Sequence, residues 1–131
     1  MAYEVAEHGG ELEVELRSTS EQGLFEAALE MFRELVSTGE RGEAAEHAIE
    51  LAETDRALLL VDWLNELVFL ADADLFVPTR LVSLDLDGES LRASVAGERG
   101  HVRQLVKAVT LNSLELDREK GGWHARVVLD V

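Results

Sequence analysis

Between about Asp55 and Ala71 the chain runs through Leu58, Leu59, Leu60, Val61, Trp63, Leu64, Leu67, Val68, Phe69 and Leu70. Wound as a helix, these residues cover most of the circumference, so the helix must be buried on nearly all sides. Whatever else the chain forms has to surround it. The only polar groups in its middle are Asp62, Asn65 and Glu66, which at spacings of three and four make one stripe a single turn long. Such a stripe is either a narrow solvent line that also caps neighbouring backbone, or the support of a site. We read it as mainly structural, with a supporting role.

The flanking sequence supplies the surroundings. Tyr3 to Glu7 and Leu12 to Arg17 read as two short strands joined by a tight turn at Gly9-Gly10. In the second, Leu12, Val14 and Leu16 alternate with Glu11, Glu13, Glu15 and Arg17, which puts Glu11 on the wet face. Ser18 with Glu21 has the spacing of a capping box. From there Leu24, Phe25, Ala28, Leu29, Phe32, Leu35 and Val36 form a stripe that predicts an amphipathic helix packed on one side. Ala45 to Glu53 reads as a strand, and Thr54 or Asp55 as the cap of the central helix.

Beyond Asp74 the apolar period falls from 3.6 to 2. Pro78 marks a strand entry; Val82, Leu84 and Leu86 alternate inward, Asp87-Gly88 turns the chain, and Leu91, Ala93 and Val95 return. Leu105 to Asp117 is extended, but its apolar phase slips between Leu111 and Leu114, which predicts a bulge or break at Thr110 to Ser113. After Gly121-Gly122, Trp123, Ala125, Val127, Leu129 and Val131 face in, and His124, Arg126 and Asp130 face out. The order is strand, strand, helix, strand, helix and four strands. It predicts an α+β fold, two helices packed against a largely antiparallel sheet, with the central helix at 55–71 mostly buried. That helix belongs between sheet layers, or between a sheet and the other helix.

A chain of 131 residues suits one domain, 1–131, that buries roughly two-thirds of its unfolded surface. Its 27 acidic residues against 12 Lys and Arg give a net charge of -15, a field that repels a phosphate backbone. Direct nucleic-acid binding is not expected; cation binding, or docking on a basic protein surface, is. With no Cys there is no thiolate chemistry, and His8, His47, His101 and His124 lack zinc-site spacing. No phosphate loop, nucleophile elbow or dinucleotide fingerprint is present. No segment reads as a signal peptide or membrane span, so a cytoplasmic location is expected. Arg92, Arg99, Arg103 and Lys107 hold four of the 12 positive charges, with Glu98 as the single acid among them. This basic strip either pairs with surrounding acids or meets a phosphate or partner carboxylate.

Asp62-Trp63-Leu64-Asn65-Glu66-Leu67, Asp72-Ala73 with Phe76, Val106-Lys107-Ala108-Val109-Thr110, Gly121-Gly122-Trp123 and the ending Val128-Leu129-Asp130-Val131 closely resemble the archease family. Tyr3 and Glu7-His8 fit as well, so the resemblance spans the whole chain. It implies a non-catalytic activator of an RtcB-type RNA ligase, one that promotes guanylation of the ligase and multiple turnover in tRNA splicing or RNA repair. The ligase itself uses GTP and a divalent metal. Carried over by position, the resemblance implies Glu11, Lys107 and Asp130 as ligase-activating residues. Glu11, Asp130 and Val131, through a carbonyl or terminal carboxylate, are the implied ligands of a divalent cation, calcium or manganese. His8, Asp62, Asn65 and Glu66 are the supporting residues.

Two departures stand out. The family's His-Thr-Ala-Asp reads here His8-Gly9-Gly10-Glu11, with the hydroxyl gone and the acid one methylene longer. Leu111-Asn112 stands where many archeases have Tyr-His. The alternative they raise is a divergent archease-fold protein that binds cations or serves as a scaffold, without the ligase role.

Overall fold

The structure is a computed structural model that describes residues 2–131. Nine elements follow in order: β1 (Tyr3–His8), β2 (Glu11–Ser18), α1 (Glu21–Val36), β3 (Glu43–Ala52), α2 (Arg56–Asp74), β4 (Phe76–Leu86), β5 (Ser90–Arg99), β6 (Ala108–Glu119) and β7 (Gly122–Asp130). The expected α+β class and element order hold. The strands, however, divide into two sheets rather than one, ordered β1-β2-β7-β6 and β3-β5-β4. Every neighbouring pair is antiparallel.

Both helices pack against strands of both sheets: α2 touches β6 on one side and β3 and β4 on the other, and α1 touches β2 and β4. This corrects the one-sided reading of α1. Ala27 and Met31 are buried along with Leu24, Phe25, Ala28, Leu29 and Phe32, so its apolar arc exceeds half the circumference. Its cap also lies further on. Ser20 Oγ accepts from Gly23 N–H at 3.0 Å, whereas Ser18 ends β2, because the chain needs two residues to turn from strand into helix.

Of the two expected caps, Thr54 and Asp55, it is Asp55 that caps α2, its Oδ1 accepting from Ala57 and Leu58 N–H at 2.9 and 3.2 Å. The helix runs three residues beyond Ala71, to a left-handed Leu75 at φ 51°. Leu59, Leu60, Trp63, Leu64 and Leu67 are wholly buried. Phe69 is not, being 58% exposed; two sheets and one helix leave one flank of α2 open.

Strand phases deviate where the ladder is broken. Pro78 is the third residue of β4, opposite Gly97, and is tolerated because β4 is an edge strand. A second register shift, between Leu81 and Ser83, turns Val82 out to solvent and Leu81 inward, reversing the expectation for Val82. In β6 the anticipated irregularity appears between Thr110 and Glu115, with Ser113 at φ 55°. The strand itself starts at Ala108, so Leu105 to Lys107 lead into it.

Candidate functional site

Gly9 and Gly10 adopt φ of 50° and 90°, the left-handed pair that a two-residue hairpin with right-twisting strands requires. The turn places His8 opposite Glu11. Pairing of β2 with β7 sets Glu11 opposite Asp130, and pairing of β7 with β6 sets Asp130 opposite Ala108. His8, Glu11, Asp130 and Ala108 thus form one rung across the four-stranded sheet. Directly opposed residues point to the same face; because Leu12, Val14 and Leu16 are buried on the other side, this is the outer face.

Backbone bonds fasten the ends of the rung. Val131 N–H donates to the Gly10 carbonyl at 3.0 Å, and Lys107 N–H donates to the Asp130 carbonyl at 2.8 Å. Residues separated by nearly the whole sequence therefore meet at one sheet end: Glu11, half-buried; Asp130 and Lys107, exposed; and Val131, half-buried. None of Glu11, Lys107 and Asp130 forms an ion pair among the described residues. Two carboxylates directly opposed on neighbouring strands repel one another. The donors are all oxygen, the type that hard cations take. Among the described residues no three His, Asp or Glu side chains gather as a metal cluster. His8 and Asp130 are two strands apart, roughly 10 Å, so protein donors fill part of a coordination shell and no more.

Of the supporting residues, His8 ends β1 in the rung, and Asp62, Asn65 and Glu66 lie on α2, which packs against β6. Asn65 Oδ1 accepts from Val109 N–H at 3.2 Å, tying α2 to edge strand β6 two residues beyond Lys107. Asp62 and Glu66 are half-buried; burial, with a smaller push from Glu53, raises the Asp62 carboxyl above its ordinary value. Asn65→Ala is expected to change stability by less than about 1 kcal/mol, since better helix propensity offsets the lost bond. Hydrogen exchange at the Val109 amide should nevertheless speed up at least tenfold. Unchanged protection there would show that Asn65 holds nothing.

The basic strip is dispersed. Arg92 meets Glu50 across strands at 3.7 Å, and Arg99 meets Asp74 and Glu43. Lys107 stands apart from them.

Sequence reading missed a charged network on the outer face. Arg126 lies opposite both Glu15 and Glu115, with its Nε 2.8 Å from Glu15 Oε1. His124 also bonds to Glu15 and, although on the outward side, is only 7% exposed. Opposite charges at spacing two on both strands were the available signal. Burial works to raise the Glu15 carboxyl, but bonds from Arg126 and His124 overcome it and hold the group below its ordinary 4.5. A depressed folded value contributes stability above pH 4.5 that is lost as pH falls through the folded value. Urea unfolding below pH 4.5 should therefore show wild type losing stability more steeply than Glu15→Gln. Parallel profiles would contradict this.

Among the described residues, no helix is long and apolar enough to cross a membrane. The Archease protein family (MTH1598/TM1083) matches residues 3–131. Protein archease of Methanosarcina mazei is 34% identical over 139 residues, covering 98% of this chain and 95% of its own. That of Methanothermobacter thermautotrophicus is 38% identical over 112 residues, 80% of each. The solution structure of Methanobacterium thermoautotrophicum protein 1598 matches with a TM-score of 0.74 at 32% identity, over 99% of both chains. A crystal structure of an archease, possible chaperone, from Thermotoga maritima matches at 0.73 and 20% identity over 96% of this chain and 94% of its own, a likeness of fold alone. Similar in sequence and in fold along nearly its whole length, the chain belongs to the archease family.

Proposed function

We propose that this chain is a non-catalytic, cytoplasmic activator of an RtcB-type RNA ligase, promoting its guanylation and repeated turnover in tRNA splicing or RNA repair. The observation that carries this reading is the convergence of Glu11, Lys107 and Asp130 at one sheet end through strand pairings that span the chain. Docked at the ligase's nucleotide site, Lys107 contacts a phosphate of GTP, where an unpaired ammonium is strongest. Glu11 and Asp130, with an oxygen of Val131, hold or steer calcium or manganese. A bound divalent cation would relieve the repulsion between the two carboxylates and neutralise phosphate charge. RNA stays with the ligase, because a chain of net charge -15 does not attract it.

Lys107→Ala and Asp130→Ala should each melt like wild type, both side chains being exposed, and lose most of the stimulation of multiple-turnover ligation. Full stimulation by either variant removes that residue from the mechanism.

The longer acid at Glu11 and the Gly9-Gly10 turn favour a second reading, an archease-fold cation-binding or scaffold protein without the ligase role. A rise in melting temperature with calcium or manganese, with no effect on ligation, is its signature.

A further inference from the structure

Phe69 and Leu111 are the two most exposed large apolar side chains among the described residues, at 58% and 63%. Single exposed apolar residues are ordinary, but these two flank one junction. Asn65, one helical turn before Phe69, accepts from Val109 N–H, and Leu111 follows Val109 by two residues on β6. Gln104 Nε2 reaches the Ala71 carbonyl at 3.5 Å. Since Asn65 meets residue 109 and Ala71 meets residue 104, the stretch of α2 that carries Phe69 runs beside the segment between them, which contains Lys107.

Charge surrounds the ring. At three and seven residues before Phe69 and three after it, Glu66, Asp62 and Asp72 share its side of α2. None of the three is in an ion pair among the described residues. An aromatic side chain set in unpaired carboxylates has the form of an interface anchor with a polar rim. Its complement is an apolar pocket ringed by Lys and Arg. An enzyme that holds RNA presents basic surface of that kind.

We propose that the open flank of α2, centred on Phe69 with Leu111 beside it, is the surface that docks on the ligase, seating the ring in an apolar pocket with a basic rim. The proposal rests on the ligase reading above and assigns binding to this flank, separate from activation at Lys107. Docking here brings Lys107 to the partner because the same junction holds both.

Titration of the ligase with N-terminally labelled full-length chain, read by fluorescence anisotropy and repeated as a ligation assay, tests it. Phe69→Ala should keep the wild-type melting temperature, raise the dissociation constant at least tenfold and shift the half-stimulating concentration equally, with an unchanged plateau. Joint substitution Asp62→Asn, Glu66→Gln and Asp72→Asn should flatten the salt dependence of binding. Wild-type affinity in Phe69→Ala overturns the proposal even if the chain stimulates the ligase. Binding that depends on Phe69 without stimulation keeps the surface and removes the activator reading. No binding by wild type ends both.

Discussion

Trp63→Ala is expected to lower the unfolding free energy by about 3–5 kcal/mol, the usual range for deleting a large buried aromatic side chain. Trp63 is wholly buried in α2, its ring edge-on to Phe25 at 6.3 Å between centroids. Its Nε1–H donates to the Phe25 carbonyl at 3.0 Å, so one side chain fastens the two helices together. The surroundings cannot collapse into the space without moving a sheet. Trp63→Phe keeps much of the volume and loses the bond, and should cost about 1–2 kcal/mol. Total stability of a domain is only about 5–15 kcal/mol, so the alanine variant should denature at markedly lower urea. A loss below about 1 kcal/mol would mean that this contact does not organise the core.

Gly97→Ala should also be severe, through crowding rather than a cavity. A Cβ there would stand 2.1 Å from the Val77 carbonyl oxygen and 2.9 Å from two carbons of the Phe76 ring. Gly97 lies in β5, the central strand of its sheet, opposite Pro78. The obstructing oxygen is backbone, so relief requires pulling β4 away from β5. Overpacking ordinarily costs about 1–3 kcal/mol, and this position should fall at or above the upper end. Gly88→Ala, where nothing lies within 4 Å, is the control and should unfold at nearly the wild-type urea midpoint. Equal midpoints for the two variants would contradict the close packing of Phe76 over this strand.

What the sequence made legible was local. Thr54 and Asp55 announced the start of α2 by their capping chemistry, the Gly9-Gly10 and Asp87-Gly88 turns set two hairpins, and the slipped phase in β6 located its irregularity. What it hid depended on distant pairings. That β7 lies between β2 and β6 is written in no short stretch, so the placement of Glu11 opposite Asp130 needed the folded chain, as did the network joining Glu15, His124 and Arg126. Phe69 read as core because the apolar residues of α2 cover most of its circumference, whereas the flank carrying Asp62, Phe69 and Asp72 is left open beside the contact that Asn65 makes with β6. Val82 was misplaced because a register shift reverses side-chain direction without changing composition.

The site follows the same division. Lys107 was legible in the sequence as part of the basic strip, but its setting comes from its backbone bond to Asp130 and from the bond of Asn65 to Val109 two residues on. The charge of the molecule and the free carboxylates at Glu11 and Asp130 point toward a cation and a basic partner. Family membership gives that partner its proposed identity.

The most direct test of that reading is a multiple-turnover ligation assay with the RtcB-type ligase of the same organism, GTP, manganese and a cleaved RNA with ligatable ends, adding this protein below the ligase concentration. An activator should carry product well past one turnover per ligase, at a level set by the ligase and not by the smaller amount of added chain. Product that stops at one turnover, with the ligase competent for that first round, would contradict it.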